Sequence, residues 1–190
     1  MKSLRIKVVL FFCFVAMMSL AFSYPASSED NTIETTPERL KAHLIIKFAD
    51  LIQWPENSSS MDPRSPFIIG IMDAPALASS LAEMTWSIKI NEKKVKVITI
   101  SDFSEIKNCH ILFISELSSR KFYQALETIG NFPILTIGDS RDYEKKGIMI
   151  NLFSTPDQQR LKFAVNCLAA KKTGISMTSK ILKYAATVIK

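Results

Sequence analysis

The chain has 190 residues, 47% of them hydrophobic and 22% charged, with a net charge of +6. That length fits one domain. No Lys/Arg run with interleaved aromatics occurs, which argues against a nucleic-acid surface.

The first residues read as a targeting segment. Lys2, Arg5 and Lys7 form a basic n-region, and Val8 to Phe22 is apolar except for Ser19. Ala21 and Ser23 are small residues placed for cleavage before Tyr24, so 1–23 is expected to be a cleaved signal peptide. The apolar run is short for an uncleaved anchor, which needs roughly 18 or more residues. Phe11 and Phe12 before Cys13 do not suit a lipoprotein. Cleavage lowers the net charge by three, from +6 to +3. Residues 24–35 are polar and aperiodic, and read as a flexible leader.

Thr36 and Pro37 then open a helix expected to run to about Gln53, with Leu40, Leu44, Phe48, Leu51 and Ile52 as its buried stripe. Pro55 stops it. A serine- and proline-rich loop follows. Phe67 to Met72 is a buried strand, Asp73 to Met84 a helix with Leu77 and Leu81 inward, and Ile88 to Ile100 a hairpin turning at Asn91-Glu92. Lys89, Lys93, Lys94 and Lys96 read as the solvated lysines of that hairpin, which discourage edge pairing. His110 to Ser115 is a continuous apolar strand. Ser118 or Ser119 starts a helix that ends at Gly130. Ile134 to Ile137 is a short strand, and 142–146 a short helix.

The stretch from Gly147 to Ala170 reads as two strands joined by a polar turn and running into a helix. Ile148 to Phe153 is apolar on both faces apart from Asn151, so it belongs inside a sheet. Leu161, Phe163 and Val165 alternate with Lys162, Ala164 and Asn166, so that strand belongs nearer an edge. Gly174 ends the next helix, and a last helix is expected from Met177 to Ile189. The fold class is α/β: a single domain over 36–190, with a mixed, mostly parallel sheet flanked by helices and a C-terminal antiparallel hairpin.

In such sheets ligands bind beyond the carboxyl ends of parallel strands. Asp73, Ser115 and Asp139 stand there and are the candidates for a small-ligand crevice, although each serves equally well as a cap or turn residue. His110 reads as a satisfied sheet residue and His43 as a solvated one. No G-x-S-x-G, H-E-x-x-H or P-loop pattern occurs, so no catalytic residue, metal site or cofactor is expected. Trp54 and Trp86 are candidate partner-binding anchors, with a place in the core as the plainer alternative. Asn151 and Asn166 read as structural amides, since a buried amide must find partners. Cys109 and Cys167 are the two thiols of the mature chain and could pair, which sequence alone does not decide.

These segments, in this order, resemble the YfiR family: LKAHLIIKFADLIQWP, FIIGIM, NCHILFIS, ILTIGDS, GIMINLF and RLKFAVNCLAA, followed by Gly174, Ser179 and Leu182. The resemblance covers about residue 38 to the end. It implies a periplasmic, non-enzymatic repressor that binds the sensor region of an inner-membrane diguanylate cyclase or related sensor protein. Such binding lowers cyclic di-GMP and biofilm formation. A homodimer and a bound small ligand are compatible with it. Relatives often carry a cysteine in the first strand that pairs with the one before the His-x-Leu-Phe strand. Here that position is Gly70, so the staple is expected to be absent and redox control carried over from relatives is in doubt. Ala164 stands where the family often has an acid, and if that acid contacts the partner, a different partner is expected here. The alternative reading is a periplasmic small-ligand-binding sensor module.

Overall fold

A computed structural model describes residues 36–56, 64–155 and 160–190. The expected signal peptide and leader, residues 57–63 of the serine-rich loop, and residues 156–159 of the polar turn lie outside the described residues.

Helix α1 (Pro37–Asp50) starts where Thr36 Oγ1 accepts the Arg39 N–H at 3.3 Å, with Pro37 at its first position. Glu38 in its first turn and Lys47 in its last complement the helix dipole. It ends earlier than expected. Ile52–Gln53 leave it to form strand β1, paired antiparallel with β9 (Ser176–Met177). The buried face also differs from the expected stripe, being Ala42, Ile45, Phe48 and Ala49, while Leu40 is exposed. The two alanines let the helix approach its neighbours closely, which outweighs the larger apolar area of Leu40.

The main sheet has eight strands: β2 (Phe67–Met72), β3 (Lys89–Ile90), β4 (Lys93–Thr99), β5 (Ile111–Ile114), β6 (Leu135–Gly138), β7 (Ile150–Ser154), β8 (Leu161–Asn166) and β10 (Thr187–Ile189). Their spatial order is β10-β8-β7-β6-β5-β2-β4-β3. Pairing is parallel except at β7–β8 and β3–β4. The mixed, mostly parallel sheet and its antiparallel C-terminal pair are therefore as the patterning indicates.

Each face of the sheet carries its own core. Ile111 and Phe113 of β5 point to one face, with α1, α2 (Pro75–Thr85), α4 (Cys167–Lys172) and α5 (Ser179–Tyr184) supplying Phe48, Leu77, Leu81, Ala170 and Ile181. Leu112 and Ile114 point to the other, covered by the 3-10 helix Phe103–Asn108 and by α3 (Ser119–Ile129) through Ile106, Phe122, Ala125 and Ile129. Burial on both faces is why these strands read as continuous apolar runs.

Three further expectations are corrected. The last helix stops at Tyr184, and Thr187–Ile189 form β10, parallel to β8 with Thr187 opposite Ala164. Three consecutive β-branched residues beside an open strand favour pairing over a helical finish. Strand β8 is thus covered, and Ala164 and Asn166 on its polar-reading face are buried. Residues 141–147 form successive turns rather than a helix, with Asp142 at φ 61°. Finally, Lys93 is buried rather than solvated, its ammonium donating to Ser65 Oγ at 3.1 Å.

Candidate functional site at the end of strand β6

Strand β6 ends at Gly138, and the chain leaves it through Asp139 and Ser140 into the 141–147 turns. A Cβ on Gly138 would stand 2.7 Å from Tyr143 Cδ2, so the absence of a side chain lets the Tyr143 ring lie directly on the strand. The ring packs on Phe122 at 4.4 Å between centroids. Its hydroxyl donates to the Ser115 carbonyl at 3.2 Å and accepts the Leu117 N–H at 3.1 Å. Tyr143 thereby ties the end of β5 to the end of β6.

Two amides hold the same turns from the other side. Asn151 Nδ2 donates to the Ser140 carbonyl at 2.9 Å and to Glu144 Oε2 at 2.7 Å. Asn166 Nδ2 donates to the Glu144 carbonyl at 2.7 Å, while its Oδ1 accepts the Ala169 N–H at 2.9 Å and caps α4. Both side chains are buried. Asp139 pairs with Lys41 of α1, Oδ2 to Nζ 2.7 Å, in a partly buried contact. The outer end of the turn is solvated: Lys145 lies 2.6 Å from Asp142, and that hydrogen bond holds the Asp142 carboxyl below its usual range.

Asp139, Ser140, Glu144, Asn151, Phe153 and Thr187 line a cavity of about 430 Å³. Its two inner carboxylates are engaged, Asp139 by an ammonium and Glu144 by an amide. Asn151 Oδ1 is buried and has no hydrogen-bond partner among the described residues. The arrangement suits recognition by hydrogen bonds more than proton transfer. Among the described residues, no group of three His, Cys, Asp or Glu could hold a metal ion.

Residues 38–186 match the YfiR/HmsC-like family. The chain belongs to that family. No curated protein matches the chain. Two solved structures are similar, each with a TM-score of 0.48 over 80% of this chain. One is a conserved domain protein from Vibrio cholerae at 14% identity, and the other an ABC domain in complex with L-Trp from Streptococcus pneumoniae at 11%. The chain spans 60% of the length of each. No described helix is long and apolar enough to cross a membrane.

Of the three crevice candidates in this YfiR/HmsC-like chain, only Asp139 lines the cavity. Asp73 is exposed at φ 56°, and the Ser115 carbonyl is occupied by Tyr143. The two tryptophans part company. Trp54 is buried, edge-on to Phe67 at 5.7 Å, whereas Trp86 is 92% exposed. Cys109 and Cys167 are both free, Cys109 in the core on the α3 face and Cys167 against the opposite one. Lys41, Tyr143 and Glu144 escaped the sequence reading. Their roles depend on contacts 98, 28 and 7 residues away along the chain, and no local pattern marks them.

Proposed function

We propose that this protein is a periplasmic regulator that binds and restrains a membrane-anchored signalling protein, a diguanylate cyclase, and so lowers cyclic di-GMP and biofilm formation. The observation that carries this reading is the family match through residues 38–186, nearly the whole described body. The signal-peptide pattern supports delivery of a 36–190 domain to the periplasm. The engaged carboxylates at the β6 end agree with a binding rather than a catalytic role. Restraint requires tighter binding to the inactive than to the active conformation of the partner, because equal affinity shifts nothing. The test is to delete the gene and measure cyclic di-GMP, with an inner-membrane pull-down on the tagged chain. A rise in cyclic di-GMP and recovery of a cyclase are expected. An unchanged level with no such partner overturns the reading.

A second reading is favoured by the unpartnered Asn151 Oδ1 beside the 430 Å³ cavity. There a small periplasmic molecule carrying hydrogen-bond donors tunes the same regulator. Its test is a screen for ligand-induced thermal shifts that disappear in Asp139→Ala.

A further inference from the structure

Among the described residues, the edge of the main sheet at β4 is only partly covered. Strand β3 pairs with Lys93 and Lys94 alone. Ile100 donates its N–H to Ile71 of β2 at 2.9 Å, so in the parallel ladder Lys96 and Ile98 also face β2. Val97 and Thr99 therefore turn their N–H and C=O groups outward, and no described residue bonds them there. Beside this edge lies a groove of about 500 Å³, with apolar lining from Ile88, Val95 and Val97 and with Trp86 at its wall. Trp86 is by far the most exposed of the large hydrophobic residues described. Lys89, Lys94 and Lys96 also line the groove, Lys94 and Lys96 from strand positions that alternate with Val95 and Val97, and no Asp or Glu lines it.

We infer that this edge is a strand-addition site for an extended, acidic segment of a partner protein. Val97 and Thr99 offer the backbone pairing, Trp86 the aromatic anchor, and the lysines the charge selection. Charge decides between this occupant and a second copy of the chain. A second β4 would add its own lysines to an edge that already carries Lys89, Lys94 and Lys96, which repels. An acidic strand meets them with opposite charge. The site deepens the regulatory reading, on which it rests for its biological partner.

The probe is a fluorescein-labelled nonapeptide alternating Glu with Val and Thr, followed by fluorescence anisotropy at low salt. Controls are the same peptide methylated on alternate backbone nitrogens, and one with Lys in place of Glu. Binding of the acidic peptide is expected, weakened at least tenfold by Trp86→Ala and by the Lys94→Glu/Lys96→Glu pair, and lost with either control peptide. All three side chains are exposed, and circular dichroism checks that the variants fold. No binding, equal binding by the variants, or equal binding of the methylated peptide overturns the inference. So does retention on phosphatidylglycerol vesicles that the peptide fails to displace, which would assign the lysines to a lipid surface. In the deletion strain, the lysine pair variant should leave cyclic di-GMP high while the wild-type chain lowers it. If both lower it, the edge inference falls alone. If deletion itself changes nothing, the regulatory reading falls whatever the peptide does.

Discussion

Cys109 Sγ occupies the space that a side chain on Gly70 would need, 2.5 Å from where a Cβ would stand. The Cys109 Cβ is one C–S bond further, so the two Cβ atoms of a Gly70→Cys variant would lie no more than about 4.3 Å apart, under the ~4.5 Å upper limit of disulfides. The pairing that the family resemblance implies for relatives is thus geometrically available, with half of it missing. Gly70→Cys is expected to oxidise to a 70–109 disulfide. Thiol titration of the chain 24–190 in denaturant should then find one free thiol, Cys167, and urea denaturation a stability gain of about 3 kcal/mol. Two or more free thiols after oxidation would contradict the geometry.

Gly70→Ala has the opposite sign. Its methyl would meet Cys109 Sγ and, at 3.1 Å, two carbons of Ile100, with the sheet preventing retreat. Overpacking of this kind costs about 1–3 kcal/mol. Adding Cys109→Ala removes the sulfur, so the double variant should recover part of that loss in urea denaturation.

The Cys109 thiol is pushed up from 9.0 to about 12, chiefly by burial and secondly by the Glu105 carboxylate. The native state therefore holds this proton where the unfolded chain releases it. Stability from this group is complete below pH 9 and lost as pH rises towards 12. Melting temperature should fall through that window in the wild type and fall less steeply in Cys109→Ala. At pH 8, a thiol reagent should modify Cys167 in the native protein and reach Cys109 only on unfolding.

The central strands were legible because burial on both faces leaves an uninterrupted apolar run, as in FIIGIM and ILFI. The C-terminal end was less so. Ile181, Leu182, Ala185 and Val188 keep a helical period, and only the open edge of β8, a long-range fact, turns Thr187–Ile189 into a strand. Leu40 was misplaced because hydropathy ranks Leu above Ala, whereas close helix packing prefers Ala42 and Ala49. Trp54 and Trp86 look alike in sequence, and tertiary structure alone separates them. Of the β6-end site, Asp139 was visible from its place after a parallel strand, but Lys41 arrives from a helix 98 residues earlier.

Asn166 joins two tasks in one side chain, capping α4 through Oδ1 and holding the Glu144 carbonyl through Nδ2. Asn166→Ala should cost about 2 kcal/mol, from a lost cap and a buried carbonyl left without its donor. Asn166→Asp keeps the capping acceptor and loses the donor, and should fall between the two. Urea midpoints of the three proteins give the order directly.

Lys41 and Asp139 supply the last prediction. Their side chains are 22% and 15% exposed, so solvent screens the pair less than it would a surface contact. Lys41→Met leaves the Asp139 carboxylate partly buried in a cavity that Glu144 also lines, at a cost of about 2 kcal/mol. Lys41→Met/Asp139→Asn removes the stranded charge as well, and should be more stable than Lys41→Met alone. A double-mutant cycle in urea measures the coupling, expected to be about 1 kcal/mol or more. Additive losses would mean that α1 is held to the end of β6 by apolar packing, with the ion pair contributing nothing.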